Sequence, residues 1–161
     1  MRQTVLELTW LDELAELRGN LTPAELAGIT AGFVSRPHLW RSLVHHDPAS
    51  RWFERLLLTG VVEVWLIGWS SGQGTTVHDH GGSWGGMTVA EGSLVEEVFE
   101  SSSAGVTANG QVVHEAGASV GFREAHVHRV RNPGPVKATS IHAYSPPGQS
   151  MREYPGPVGL S

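Results

Sequence analysis

Two patterns of apolar residues divide the chain. Near the N-terminus an apolar stripe repeats about every 3.6 residues, which is typical of an amphipathic helix. The stripe consists of Val5, Leu6, Leu8, Leu11, Leu14, Ala15 and Leu17, and Gly19 and Asn20 end it. Thr22-Pro23-Ala24-Glu25 forms a capping box with proline at the first helical position. We therefore predict a second helix over residues 23–34 and a short third helix over residues 37–44.

After Ala49 the pattern changes to short runs rich in β-branched and aromatic residues, separated by Gly, Ser, Asn and Pro. These runs predict strands over residues 52–58, 63–69, 75–80, 86–90, 93–100, 112–115, 118–122, 126–131 and 136–144. Strands at such close spacing predict a barrel or a sandwich. We expect one mainly β domain over residues 1–161, with helices over about 1–48, a β-barrel over about 49–147 and a loosely ordered C-terminal tail.

Charge and composition narrow the function classes. The net charge of −5 argues against a nucleic-acid binder or a polybasic membrane binder. The chain has no cysteine, which excludes disulfides, iron–sulfur clusters held by cysteine and thiolate–zinc sites. No apolar run reaches the roughly 18 residues of a membrane span, and the N-terminus carries acidic residues where a signal peptide is apolar. We expect a monomer in the cytoplasm that binds neither nucleic acid nor membrane.

Histidine is the unusual residue, with nine in the chain. His78 and His80 are two apart, so on a strand they share a face while Asp79 points the other way. The pair is either half of a metal site or two hydrogen-bonded histidines on a half-buried strand. A third metal ligand would come from His114, His126, His128 or His142.

The wider spacing favours His128. Gly72-(x)5-His78-x-His80 has the layout of the first cupin motif, with Gly85 where that motif has its glutamate. Downstream, Gly117, His128 and Asn132 keep the outer positions of the second cupin motif. This register selects His128, places His126 at the lining or mouth of the barrel, and leaves the others at the surface: His38, His45, His46 and His114.

Three neutral imidazoles have a definite chemical meaning. Without a carboxylate the ligand set is uncharged, so a divalent ion keeps its charge and favours an anionic ligand such as a thiolate. A facial arrangement leaves room on Fe(II) for both a substrate and O2. Hydrolysis by zinc at a three-histidine site is the chemical alternative.

Three segments resemble the cysteine dioxygenase family, which are small iron cupins. GWSSGQGTTVHDHGGSWGG resembles the first metal motif of that family, HRVRN (residues 128–132) its third-ligand segment, and SIHAYSPP (residues 140–147) its Ser-x-His-x-Tyr-Ser-Pro-Pro signature. The resemblance covers roughly residues 52–147 and also fits helices that precede the barrel. It implies that His78, His80 and His128 bind Fe(II).

The resemblance also implies roles for four further residues. Ser140, His142 and Tyr144 would form a hydrogen-bonded series that presents a phenol to the substrate; their alternation alone is also compatible with three satisfied polar groups on a half-buried strand. Arg55 would bind the substrate carboxylate, although an isolated strand arginine is usually a surface residue. Because family members that act on 3-mercaptopropionate have glutamine there, Arg55 favours cysteine.

Two positions depart from the family. Animal members link a cysteine covalently to the active-site tyrosine, but here Gly85 stands at that position, which implies an unmodified Tyr144 and space beside it. Phe53 replaces a tyrosine that is common in the family.

The expected activity is therefore the oxidation of L-cysteine by O2 to cysteine sulfinate in cysteine catabolism, with Fe(II) as cofactor. The alternatives are a dioxygenase for 3-mercaptopropionate or another small thiol such as cysteamine, a non-catalytic cupin that binds a ligand or metal, and a zinc-dependent cupin.

Overall fold

Helices form the N-terminal part of the protein, as predicted. The computed structural model describes residues 2–155. Helix α1 covers Arg2–Ala15 and α2 covers Pro23–Val34. The capping box of α2 is present: Glu25 N donates to Thr22 Oγ1 at 3.2 Å, and Thr22 N donates to the Glu25 carboxylate at 2.7 Å. The bounds predicted for α2 from this box are confirmed.

The single helix predicted over residues 37–44 is wrong in detail. The segment forms two 3₁₀ helices, Pro37–Leu39 and Arg41–Leu43. Trp40 lies between them with φ −142°, outside the helical region. Its buried indole donates from Nε1 to the Phe33 carbonyl at 2.9 Å, so burial of this ring interrupts the helix.

Ten strands follow within residues 2–155: β1 (Trp52–Leu58), β2 (Glu63–Trp69), β3 (Val77–Asp79), β4 (Trp84–Glu91), β5 (Ser93–Ser102), β6 (Gly105–Glu115), β7 (Ser119–Phe122), β8 (Val127–Arg131), β9 (Ala138–Ser145) and β10 (Arg152–Tyr154). They form two five-stranded sheets, ordered β1-β2-β9-β4-β7 and β10-β3-β8-β5-β6, in which the described strand pairs are antiparallel. The prediction of a mainly β fold preceded by helices is confirmed.

Strand β10 was not predicted from the sequence. It is short and mostly polar, and it pairs with β3 through Arg152 and Asp79. The Tyr154 hydroxyl donates to Asp79 Oδ2 at 2.7 Å, and Gly81 N donates to the other carboxylate oxygen at 2.9 Å. Asp79 therefore faces β10, away from its histidine neighbours. The tail predicted to be loosely ordered lies, beyond Pro155, outside the described residues.

Helix α2 packs on the outer face of the first sheet. Leu26, Ile29 and Phe33 lie in a buried cluster with Val64 and Ile141. At Gly86 a Cβ atom would lie 2.5 Å from the Ala27 backbone nitrogen. Glycine is thus required in β4 because the helix backbone approaches the strand too closely for any side chain. Among the described residues no helix is both long and apolar enough to cross a membrane.

Candidate active site

Three buried histidines meet inside the barrel. Strands β3 and β8 pair at His78 and His128, and His80 follows directly after β3. One ring nitrogen of each histidine lies within 4.8 Å of those of the other two. We call these residues the histidine triad (His78, His80 and His128). The structure thus brings together the three residues that the sequence selected as metal ligands, with His128 rather than His126 as the third.

The hydrogen bonds of the triad fit a metal ion. Because a carbonyl oxygen only accepts, His78 Nδ1 carries a proton and donates to Thr76 O at 2.8 Å. In the same way His128 Nδ1 donates to Glu96 Oε1 at 2.7 Å. In a neutral imidazole this leaves Nε2 of each ring with a free lone pair. The buried Nε2 of His80 has no hydrogen-bond partner in the described part of the chain. Two Nε2 lone pairs and a ring nitrogen of His80 that has no protein partner therefore belong to one cluster.

Burial keeps the triad neutral. Desolvation, followed by the neighbouring imidazole of His128, lowers the pKa of His78 to about 4. Burial lowers the pKa of His80 further, again with help from His128 and His78, and burial also lowers the pKa of His128. Neutral imidazole is the form that binds metals, so at neutral pH no proton has to leave before an ion enters.

A buried carboxylate organises three imidazoles on the far side of the triad. Glu96 Oε1 accepts from His128 Nδ1 and His126 Nε2, both at 2.7 Å, and Oε2 accepts from His114 Nε2 at 2.8 Å. Burial alone would raise the pKa of Glu96, but the three hydrogen bonds together outweigh it and leave that pKa well below its ordinary value. Glu96 is therefore an anion that fixes the ring of one triad member.

Glu96 was not predicted from the sequence as part of the site, and the predicted surface position of His114 is wrong. His114 was expected at the surface, yet only 7% of it is exposed and it contacts Glu96. The signal in the sequence is spacing: Glu96 lies two residues after Leu94 on β5, so it shares the buried face of that apolar residue. Glu96, His126 and His128 also lie close enough together to be a possible metal site. Their facing atoms already hydrogen-bond to one another, so the free lone pairs of the triad make it the better metal site.

Ser140, His142 and Tyr144 form a continuous hydrogen-bonded series, which we call the relay. Trp69 Nε1 donates to Ser140 Oγ at 2.8 Å, and Ser140 Oγ lies 2.7 Å from His142 Nε2. His142 Nδ1 lies 3.3 Å from the Tyr144 hydroxyl. Burial, followed by the neighbouring imidazole of His128, lowers the pKa of His142 to about 3, so its ring carries one proton at neutral pH.

The first donor of the relay favours one direction. Trp69 Nε1 can only donate, so Ser140 Oγ accepts from it and keeps its own hydrogen for donation to His142 Nε2. In the tautomer that matches this arrangement, His142 Nδ1 donates to the Tyr144 oxygen. The Tyr144 hydrogen then points elsewhere. The Tyr144 ring stacks on His80 at 4.6 Å, and burial raises the pKa of the phenol, which stays protonated.

A pocket of about 250 Å³ opens onto both the triad and the relay. His80 and Tyr144 form its inner wall, and Phe53, Trp65 and Met151 supply apolar lining. Its charged lining residues are Arg51 and Glu63. A pocket of this size suits a small molecule that reaches the triad past the tyrosine hydroxyl.

Arg55, which the sequence analysis selected for substrate binding, lies beside this pocket rather than in its lining. It shares the pocket face of β1 with Phe53 and pairs across to Trp65. Its side chain is 45% exposed, and Nη1 lies 3.9 Å from Glu63 Oε2. Arg51, which the sequence analysis did not single out, lines the pocket instead. The signal that could have identified Arg51 is its spacing, because residues 51, 53 and 55 share one face of an extended chain.

The expectation of open space at Gly85 is wrong. A Cβ atom at this position would lie 2.1 Å from the Phe122 ring, so Phe122 occupies the volume of the missing side chain. The Phe122 ring stacks on His80 at 5.1 Å between centroids. An aromatic ring thus supports a triad member where common cupins place a glutamate ligand.

Comparison with known proteins agrees with this site. The model of the cysteine dioxygenase type I family matches residues 10–156. The chain belongs to the cysteine dioxygenase type I family. A curated relative, cysteine dioxygenase type 1 of Danio rerio, is 27% identical over 139 residues, which is 81% of this chain and 68% of the relative. Membership supports a dioxygenase enzyme with a metal cofactor, and the histidine-rich site is present for such an ion.

Solved structures agree on the fold. A protein with a double-stranded β-helix domain from Klebsiella pneumoniae superimposes with a TM-score of 0.60 at 17% identity, over 70% of this chain and 86% of that one. A cupin superfamily protein from Desulfitobacterium hafniense gives a TM-score of 0.54 at 11% identity, over 66% and 87%. The predicted cupin barrel is confirmed.

Proposed function

We propose that this protein is a mononuclear non-haem Fe(II) thiol dioxygenase that oxidises L-cysteine with O2 to cysteine sulfinate. The observation that carries the proposal is the neutral, carboxylate-free histidine triad, which reaches a small pocket through His80, beside the Tyr144 side chain. The family match and the curated cysteine dioxygenase relative support the same reaction. The reaction balances without a further reductant, since both oxygen atoms of O2 end on the thiol sulfur.

His78, His80 and His128 would hold the ion. Bound Fe(II) would supply the redox chemistry that combines a thiolate with O2. A cation held by neutral ligands keeps its charge, so it favours the thiolate over the thiol. Glu96 would keep the ring of His128 oriented through its Nδ1 hydrogen bond. Among the described residues, no carboxylate joins the triad nitrogens to neutralise the ion.

The relay would position and supply a proton. With His142 donating to the phenol oxygen, the Tyr144 hydrogen is free to donate to the substrate carboxylate or to an oxygen atom at the reacting sulfur. Ser140 and His142 act by fixing this direction. The raised pKa of Tyr144 keeps the phenol protonated throughout the physiological range.

The resemblance predicts that Arg55 binds the substrate carboxylate, with Tyr144 as the second contact. Arg51 is the alternative, because it lines the pocket and Arg55 does not. Arg55 lies two residues after the pocket-lining Phe53, on the same face of β1. The assignment of Arg55, like the single domain, the monomeric state and the cytoplasmic location, stays a prediction.

Oxygen uptake after anaerobic loading with Fe(II) tests the proposal. L-Cysteine, 3-mercaptopropionate and cysteamine are supplied in turn, and the sulfinate product is measured by mass spectrometry against O2 consumed. We expect one sulfinate per O2, with L-cysteine turned over fastest, and no uptake by protein loaded with Zn(II). Faster turnover of another thiol would reassign the substrate, whereas no uptake with any thiol would contradict the dioxygenase itself and leave a ligand-binding cupin.

A further inference from the structure

Two arginines lie near the pocket, one directly before strand β1 and one within it, and their surroundings differ. Arg51 precedes the strand and lines the pocket, whereas Arg55 lies two residues beyond Phe53 and outside the lining. Both carry a full positive charge that could hold an anion. Their partners decide which one is available.

Arg51 keeps one edge of its guanidinium group unpaired. Its Nη1 donates to the Gly74 carbonyl at 2.8 Å, and its plane lies over the Trp69 ring with Cζ 5.1 Å from the centroid. Its Nε is buried and has no hydrogen-bond partner in the described part of the chain. An unsatisfied buried donor on a cation is costly, and a carboxylate is the group that satisfies the side edge of a guanidinium with two parallel hydrogen bonds.

Arg55 is already opposed by an anion. Glu63 Oε2 lies 3.9 Å from Arg55 Nη1, and the other carboxylate oxygen of Glu63 accepts from Gly148 N at 3.1 Å. Glu63 is buried and held in place, so it remains next to Arg55. A substrate carboxylate that approached Arg55 would meet the repulsion of Glu63 as well as competition from water at an exposed side chain.

Arg51 also lies close to the reacting groups. The guanidinium group of Arg51 lies over the ring of Trp69, and Trp69 is the residue that donates to Ser140 at the start of the relay. Arg51 also lines the same pocket as Tyr144 and His80. An anion held by Arg51 inside the pocket would therefore share it with the phenol and with one member of the triad.

We propose that Arg51, rather than Arg55, binds the carboxylate of the thiol substrate inside the pocket and so selects carboxylate-bearing thiols over cysteamine. The inference rests on the proposed function for the identity of the substrate. It assigns Arg55 and Glu63 to the rim of the pocket, where they form an ion pair.

A matched pair of variants tests this assignment. Arg51→Gln and Arg55→Gln make the same change near the same pocket, and KM for L-cysteine and for cysteamine is measured with each Fe(II)-loaded protein. We expect Arg51→Gln to raise KM for L-cysteine roughly tenfold to a hundredfold and to leave KM for cysteamine within about twofold. Arg55→Gln should change either KM by less than about threefold. The reverse ranking of the two variants, or an equal effect of Arg51→Gln on both thiols, would overturn the proposal.

Binding without turnover separates this inference from the proposed reaction. Calorimetry with Zn(II)-loaded protein measures the affinity for L-cysteine and cysteamine even if neither thiol consumes O2. Arg51→Gln should lose affinity for L-cysteine alone and should retain the full metal content of the unaltered protein. If Arg51→Gln does not fold, Arg51→Lys keeps the charge but lacks the planar fork, and it should show a smaller loss confined to L-cysteine. Equal binding of L-cysteine by the Arg51 variants and the unaltered protein would contradict the assignment.

Discussion

Glu96 Oε1 accepts a hydrogen bond from His128 Nδ1 at 2.7 Å, across two neighbouring strands and between residues 32 positions apart. The carboxylate thereby fixes the tautomer of an imidazole that offers its other nitrogen to the triad. Partners of this kind matter for metal binding nearly as much as the ligands themselves, because a ring that turns or moves its proton no longer presents a lone pair.

Removing the charge of Glu96 should weaken metal binding. In Glu96→Gln the amide nitrogen would face imidazole N–H donors, so at least one ring must change its tautomer. We expect metal affinity to fall roughly tenfold to a hundredfold, measured by competition with a chelator. Glu97→Gln is the matched control, because the neighbouring carboxylate instead accepts from Arg129 Nε at 2.6 Å. Equal affinities of the two variants would show that Glu96 does not hold the site.

The two histidines that share Glu96 Oε1 should differ in their effect on metal content. His128→Ala removes a converging lone pair and should abolish stoichiometric iron binding. His126→Ala removes only a hydrogen bond to Glu96 Oε1 and should largely retain iron. Metal analysis of both variants after anaerobic loading measures the difference. Loss of iron from His126→Ala together with its retention in His128→Ala would reverse the choice of third ligand.

The relay should affect the reaction rather than metal binding. Tyr144→Phe removes the free phenol proton, so we expect full iron content and sulfinate formation slowed roughly a hundredfold. Ser140→Ala leaves His142 Nε2 without its donor, which allows the ring to accept from Tyr144 instead of donating to it. Its turnover should fall by a smaller factor. Stopped-flow or oxygen-electrode assays measure both, and unchanged turnover in Tyr144→Phe would remove the phenol from the reaction.

The metal-free protein should lose stability as the pH falls. The folded-state pKa values of His78 and His142, about 4 and about 3, lie below the ordinary value of 6.5. Below pH 6.5 the unfolded chain therefore binds protons that the folded chain does not, so the free energy of unfolding decreases. Between pH 7 and pH 5 we expect a loss of roughly 2 kcal/mol from each of the two residues.

Urea denaturation at several pH values tests this dependence. His142→Gln removes one of the two groups but can still accept from Ser140, so its free energy of unfolding should fall less over the same interval. Identical slopes for the two proteins would contradict the assignment of His142 as a buried neutral ring.

Local patterns in the sequence determined much of this protein. The bounds predicted for α2, β1 and β2 agree with the structure, because a capping box and apolar periodicity act over a few neighbouring residues. The alternation of His78 with His80, and of Ser140, His142 and Tyr144, correctly predicted which side chains share a face, since strand geometry alone sets that. The family motifs led to His128.

Only the tertiary structure decided which distant residues meet these side chains. His114 and Glu96 come together because β5 and β6 pair, and Phe122 fills the volume at Gly85 because β4 pairs with β7. Arg51 and Arg55 look alike in the sequence, but the carboxylate beside Arg55 belongs to another strand. Strand register and packing depend on the whole buried core rather than on local propensity, so the pairing of a carboxylate with an imidazole or an arginine is settled only when the chain folds.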